Sequence, residues 1–259
     1  GYGDNNFITN LVTPYGRTAF VANETPSSRA LLVTQPDDSQ RLYIYRALCD
    51  GGDFASVVPN SYSANDVPAV PEIADGIAIV NAALNTDNSF YFDSRAMSGI
   101  TGAWNDPAPA DYLKARWRHW SRNGRVITRQ LTFERQPSPD GTTPGHRTWT
   151  TFTSPDGEVW FFPTFRAERL PDGTDRWVYW ERNDWGRPTR IVSSYQDGGN
   201  LGERTVDLAY DSSDGRKLLE VKGPATDPSH NLVRVRAYSY TTNGLVTAFT
   251  NALNEVTSI

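Results

Sequence analysis

Three glycines set the rhythm of this chain: Gly186, Gly215 and Gly244 stand 29 residues apart. Each closes the same kind of passage, in which an aromatic, polar strand end enters a polar turn, glycine ends it, and a new alternating run begins. The copies read Trp180-Glu181-Arg182-Asn183-Asp184-Trp185-Gly186-Arg187, Tyr210-Asp211-Ser212-Ser213-Asp214-Gly215-Arg216 and Tyr238-Ser239-Tyr240-Thr241-Thr242-Asn243-Gly244-Leu245. A repeated β unit cannot bury its own face, so the copies must stack on neighbours. The first demand on this sequence is therefore a wall built of strands.

The composition agrees. At 259 residues the chain suffices for one large β domain or two small ones. Aromatics reach 12% within a hydrophobic share of 38%, which suits strands with ring-lined faces. Twenty glycines and 17 prolines fit many short elements joined by turns. A net charge of −5 supplies no general pull toward nucleic acid or an acidic membrane. Cys49 is the only cysteine, which excludes an internal disulfide and a cysteine-built metal site. No apolar run approaches the roughly 18 residues of a membrane span. The N-terminus lacks the basic-then-apolar pattern of a signal peptide. With Gly1 at its start and the alternating run Glu255–Ile259 at its end, the sequence reads as a piece of a longer protein.

Along the chain, Phe7–Val12 and Thr18–Val21 flank the turn Thr13-Pro14-Tyr15-Gly16-Arg17, with proline and glycine where turn chemistry wants them. Arg29–Thr34 and Arg41–Arg46 flank Gln35–Ser39. There Leu42 and Ile44 share one face while Tyr43 and Tyr45 share the other. Residues 50–75, with Gly51, Gly52, Pro59, Pro68 and Pro71, read as an irregular insertion. Short helices are expected near Ile77–Leu84 and Asp93–Met97. Residues 111–120 fit both a helical and an alternating pattern. Asn123-Gly124 decides for a hairpin with Val126–Glu134. Further hairpins are expected for Trp149–Thr153 with Val159–Phe162, and for Phe165–Leu170 with Arg176–Glu181. Arg190–Tyr195, Thr205–Tyr210, Leu218–Lys222, Leu232–Tyr240 and Leu245–Thr250 complete the strands, with Val206, Leu208 and Tyr210 as one buried face. The expected fold is all-β: antiparallel hairpins over 1–49 and 111–259, with the irregular insertion and its short helices over 50–110, in one continuous unit.

Candidate chemistry is sparse. His119, His146 and His230 form neither H-x-H nor H-E-x-x-H, and no cysteine joins them, so no metal site is expected. A nucleophile elbow and phosphate-binding glycine loops are absent, so neither a hydrolase nor a nucleotide cofactor has support. Asp37, Asp38, Asp156, Asp172 and Asp175 fall in expected turns. Asp197-Gly198-Gly199-Asn200 and Asn85-Thr86-Asp87-Asn88 carry oxygen ligands for calcium, without completing an EF-hand loop. Trp177, Tyr179 and Trp185, with Trp180, Trp149 and Trp160, are candidates for stacking a ligand. Rings on both faces of Trp177–Trp180 fit core and lining better. Lys114, Arg116, Arg118, Arg122 and Arg125 alternate with apolar residues and read as a solvated strand face.

The repeats resemble the YD-repeat, or Rhs (rearrangement hot spot), family. Tyr210, Asp211, Gly215 and Arg216 stand as that family's tyrosine, aspartate and glycine-arginine, with one residue more between Asp and Gly than in its shortest form. Tyr238, Tyr240 and Gly244 match in the third copy, where Thr241 and Leu245 replace Asp and Arg. Gly186 and Arg187 match in the first, with Trp180 in place of tyrosine. Gly16 and Arg17 resemble the same turn, as Tyr43 and Tyr45 resemble the strand tyrosines, and Asn88–Met97 is similar to a stretch of long Rhs-type chains. The likeness covers 7–46 and 176–259 well and 85–135 loosely.

The resemblance implies a long sheet wound into a hollow, secreted or cell-surface bacterial shell around a C-terminal effector. Its aspartates and arginines would pair between neighbouring turns. The family's self-cleaving aspartate segment is not found before Ile259. What the resemblance implies is a non-catalytic structural segment without cofactor. Its partners would be the rest of its own chain or identical subunits, through open strand edges, and an enclosed effector domain. The alternative is an extracellular filament or adhesin module built from the same repeats.

Overall fold

The computed structural model describes residues 7–25, 28–46, 88–123, 126–152, 161–197, 200–213, 215–224 and 231–259. The insertion at 50–75 and the helix expected at Ile77–Leu84 lie outside them. The architecture is all-β, and every strand pairing is antiparallel. The described residues fall into two compact units, and within each the strand order is the chain order.

The first unit holds β1 (Asn10–Thr13), β2 (Gly16–Thr25), β3 (Ser28–Thr34), β4 (Gln40–Arg46), β5 (Asn88–Phe92), β6 (Arg116–Asn123), β7 (Val126–Arg135) and β8 (Arg147–Thr151) as far as Trp149, with residues Glu168–Asp175. The alternation in β4 does what its sequence asks: Leu42 and Ile44 are fully buried, while Tyr43 is 43% exposed. Cross-strand partners continue the buried face as Leu42–Phe92, Ile44–Phe90 and Phe90–Trp117, then Phe133–Trp149. Rings meet along it, with Trp117 and Phe133 centroids 4.7 Å apart and Phe133 and Trp149 5.4 Å apart. On this face Trp117 Nε1 donates to Asn88 Oδ1 at 2.7 Å.

A segment between β5 and β6 covers this face. Asp93 caps a one-turn helix α1 (Ser94–Met97) by accepting from the Ala96 N–H at 2.8 Å. The chain then turns through a 3-10 helix (Pro109–Lys114), whose Tyr112 ring lies 4.7 Å from Phe90 and 5.9 Å from Phe92. Asp111 ties the segment together. Its Oδ2 accepts from the Thr101 N–H (3.0 Å) and hydroxyl (3.1 Å) and from the Gly102 and Ala108 N–H groups (both 3.2 Å), and Lys114 reaches its Oδ1 at 3.0 Å. Burial opposes the charge on Asp111. The Thr101 and Gly102 amides and the Lys114 ammonium outweigh it and hold the carboxyl below its ordinary range.

The second unit takes in the remainder of β8, β9 (Phe165–Arg169) up to Ala167, and everything from Arg176 on: most of β10 (Asp175–Arg182), then β11 (Pro188–Asp197), β12 (Asn200–Tyr210), β13 (Leu218–Pro224), β14 (Leu232–Tyr240), β15 (Val246–Asn251) and β16 (Val256–Ser258). Phe165, Ala167, Trp177, Tyr179 and Val192 are buried near its start. From β12 onward the described strand residues are half-buried or exposed, Gly223 apart. Arginine and carboxylate pairs cross these strands, as Arg190–Asp207 at 2.8 Å and Arg234–Glu220 at 2.6 Å.

Four expectations need correction. Residues 109–114 are 3-10 helix rather than the start of a strand, because Tyr112 and Asp111 are needed to cover and tie the neighbouring face. Phe161 and Phe162 lie in a bend, Val159 and Trp160 fall outside the described residues, and the next described strand starts at Phe165. Asp175 opens β10 and pairs with Arg169 at 2.7 Å, rather than shaping the preceding turn. Val206, Leu208 and Tyr210 are half-buried rather than buried, as are Thr205 and Asp207 between them, so β12 presents no fully buried face among the described residues.

Candidate functional site

The repeat residues assemble one device. In the first and third copies a first residue donates its N–H to the carbonyl four positions on, and the fourth residue's N–H returns to the first carbonyl. Asn183–Arg187 (2.9 Å) with Gly186–Asn183 (2.8 Å) and Thr241–Leu245 (2.8 Å) with Gly244–Thr241 (3.0 Å) follow this rule. The fourth residue has positive φ, +72° at Gly186 and +82° at Gly244. This is a type I turn closed by a left-handed residue, a standard three-residue hairpin loop. Asp211–Lys217 is a longer version, closed by Gly215 at +64°. The pattern also occurs where no glycine marks it. Asp38 (+62°) closes Gln35–Ser39 and Asn254 (+63°) closes Asn251–Glu255.

The first residue's side chain braces its own turn. Asn183 Oδ1 accepts from the Trp185 and Arg187 N–H groups at 3.1 and 3.0 Å, and Thr241 Oγ1 from Leu245 N–H at 3.0 Å. Asp211 Oδ1 accepts from the Ser213 hydroxyl and from its N–H at 2.8 Å, which together hold the Asp211 carboxyl below its ordinary range.

Neighbouring turns of the second unit touch through the glycines. Asn183 Nδ2 donates to the Gly215 carbonyl at 2.9 Å. The Trp185 ring lies on Gly215, where an added Cβ would sit 2.4 Å from its Cδ1. Phe162 lies on Gly186 in the same way, at 2.7 Å. These glycines thus answer two demands, the left-handed backbone and a seat for a ring. Arg216 closes the contact with its guanidinium 4.0 Å from the Trp185 ring centre. Asp211 serves its own turn, and Arg216 stacks on Trp185. Beside them a cavity of about 430 Å³ is lined by Trp185, Tyr210, Asp211 and Ser213 among others.

The remaining candidates scatter. Trp177 and Tyr179 are 7% and 6% exposed, Trp177 stacked against Phe165 at 6.4 Å and Tyr179 opposite Val192, so neither presents a ring to a ligand. Trp180 occupies the other face of β10, half-buried under Arg182, which also donates to the Pro163 carbonyl at 2.7 Å. Of the candidate stacking rings among the described residues, Trp185 alone is exposed, at 54%. Tyr240 donates its hydroxyl to the Leu218 carbonyl at 2.9 Å. Tyr238 is half-buried, and Arg187 is exposed in its turn. Near the N-terminus, Gly16 has φ +125° beside Pro36, and Arg17 reaches Asn10 Oδ1. Trp149 is buried beside Phe133, whereas Trp160 lies outside the described residues.

The titratable groups show no convergent chemistry. His119 is buried with Nδ1 2.7 Å from Thr132 Oγ1, and His146 Nε2 lies 3.6 Å from Glu168. His230, Asp156, Arg125 and most of both calcium-like stretches lie outside the described residues. Among the described residues no group of three or more His, Cys, Asp and Glu is placed to hold a metal ion. Arg116 and Arg118 stand on the face of β6 opposite Trp117, reaching Gln136 at 3.1 Å and Glu134 at 2.9 Å. Lys114 precedes that strand and serves the Asp111 tie. No helix among the described residues is long and apolar enough to cross a membrane.

No family model matches the chain, and no curated protein matches it.

Proposed function

We propose that this chain is a non-catalytic segment of a β wall of YD-repeat or Rhs type, which encloses or scaffolds an effector domain encoded elsewhere in a longer, exported protein. The observation that carries this reading is the recurrence of a hairpin turn closed by a glycine of positive φ at Gly186, Gly215 and Gly244, the same in form at the first and third and longer at the second, with Gly186 and Gly215 each seating a ring of an adjoining segment. A turn that is also a contact surface propagates the sheet one hairpin at a time. The open faces of β12 to β16 support the same reading, since a sheet without a core of its own draws stability from neighbours. Of the described carboxylates with lowered pKa, Asp37, Asp111, Asp140 and Asp211 brace loops and Glu220 pairs with Arg234 on the next strand, which suits a structural role.

The test is electron microscopy of the product of the full reading frame. The expected result is a strand-walled hollow particle holding additional protein. A filament of identical copies would replace this reading with the filament alternative. A solid, compact monomer would overturn both.

A further inference from the structure

In the first unit the sheet face opposite its rings, as the described residues form it, carries chemistry of its own. Two rows of partners cross it: Leu31–Tyr43–Tyr91–Arg116 and Arg29–Tyr45–Ser89–Arg118. The Tyr43 and Tyr91 rings lie 4.9 Å apart, inclined by 31°. They floor an open cavity of about 540 Å³ whose charged lining is Arg29, Arg116 and Arg118 against Glu24 alone. From the neighbouring strand Glu134 meets Arg118 at 2.9 Å and approaches Arg116 Nε at 4.0 Å, while that Nε donates to Gln136 at 3.1 Å and leaves the rest of the Arg116 fork to a ligand; Arg29 and Glu24 are 3.8 Å apart and largely exposed. In a chain of net charge −5 this is a local excess of guanidinium beside flat rings.

We infer that this face binds an acidic saccharide, a short run of uronate sugars. A pyranose ring lies on the Tyr43–Tyr91 pair, and its carboxylate meets the fork of Arg116. Tyrosine rings give a rigid, flat apolar surface with a polar edge. Arginine recognises carboxylate by two parallel hydrogen bonds, a geometry that lysine lacks. Arg29 on β3 and Arg118 on β6 are three strand spacings apart, about 14 Å, so an oligomer rather than a single sugar engages both ends. Charge complementarity selects the acidic sugar over a neutral one. An extended peptide is disfavoured, because β3 to β6 are paired on both sides and their backbone groups are not open to strand addition. The inference does not depend on the shell reading.

The test is calorimetric titration of the 259-residue chain with a galacturonate oligomer, a neutral oligosaccharide of equal length and an oligoglutamate. The expected result is binding of the uronate oligomer alone, weakening as salt is raised. Arg116→Ala and Tyr43→Leu should each weaken it roughly tenfold, and Arg116→Lys less than Arg116→Ala, with unchanged melting curves as the control for folding. If Arg116→Ala unfolds the chain, Arg116→Lys and Tyr43→Leu carry the test. Equal binding of the neutral sugar or of oligoglutamate, no saccharide binding, or affinity indifferent to these substitutions would overturn the inference.

Discussion

Strands β4 to β7 and strands β12 to β16 use the same pairing and are held by different means. In the first region one face carries Leu42, Ile44, Phe90, Phe92, Trp117 and Phe133, and a tied segment lays Tyr112 over it. In the second, no described side chain is fully buried, and the work falls to turn braces, ring-on-glycine seats and crossing ion pairs. Hairpin chemistry is enough to order strands. A core forms only where another layer covers a face. Among the described residues the first region has a covered core, and the second does not.

The sharpest way to break this comparison is a pair of truncations. Trp117→Ala should cost about 3–5 kcal/mol in denaturant unfolding, whereas Val235→Ala, on an exposed position of β14, should change stability by less than about 0.5 kcal/mol. Equal costs would show that the second region has a core after all. Asp111→Asn comes next, at about 2 kcal/mol, because it removes the charge that holds the Thr101, Gly102, Ala108 and Lys114 donors. The covering segment should become the first site of limited proteolysis in that variant.

Glycine substitutions sharpen the second half. Gly173 has positive φ with nothing near its missing Cβ, so Gly173→Ala measures the backbone cost alone, about 1 kcal/mol. Gly215→Ala adds the clash with Trp185 and should cost about 2 kcal/mol. The difference between the two melting shifts reads the value of the ring seat.

Acid probes the braces. Asp37, Asp140, Asp211 and Glu220 have folded-state pKa values below their unfolded ones, through Ser39, through Thr142 and Thr143, through Ser213 and through Arg234 respectively. The unfolded chain therefore takes up protons first. The stability these groups contribute is full above the unfolded carboxylate range, about pH 4, and is lost as pH falls through the folded values. Circular dichroism during acid titration should show melting that begins below about pH 4. The smallest effect is expected for Glu220→Gln, under about 0.5 kcal/mol, since its partners Arg234 and Lys222 are solvated.

Much of this was legible because turns and alternation are local. The Leu42–Ile44 and Tyr43–Tyr45 faces, the glycine turns and the Asp93 helix follow from residues within a few positions of each other. The turn at Asn251–Glu255 escaped notice because Asn254 takes the left-handed place that glycine marks elsewhere. The 3-10 helix at 109–114 escaped because an alternating pattern fits the same residues. What decides is Tyr112 meeting Phe90 and Phe92, a contact across the fold. Ring placement was legible only by halves. Sequence put Trp177 and Trp180 on opposite faces, yet nothing local tells which face is covered. The Tyr43–Tyr91 floor needs β4 and β5 side by side, although 41 residues (47–87) separate their near ends.

Native-state hydrogen exchange along the whole chain measures the contrast most directly. β5 and β6 should exchange only through global unfolding, with β14 and β15 opening far more readily in the isolated chain. Protection of β14 and β15 equal to that of β5 and β6 would contradict the account.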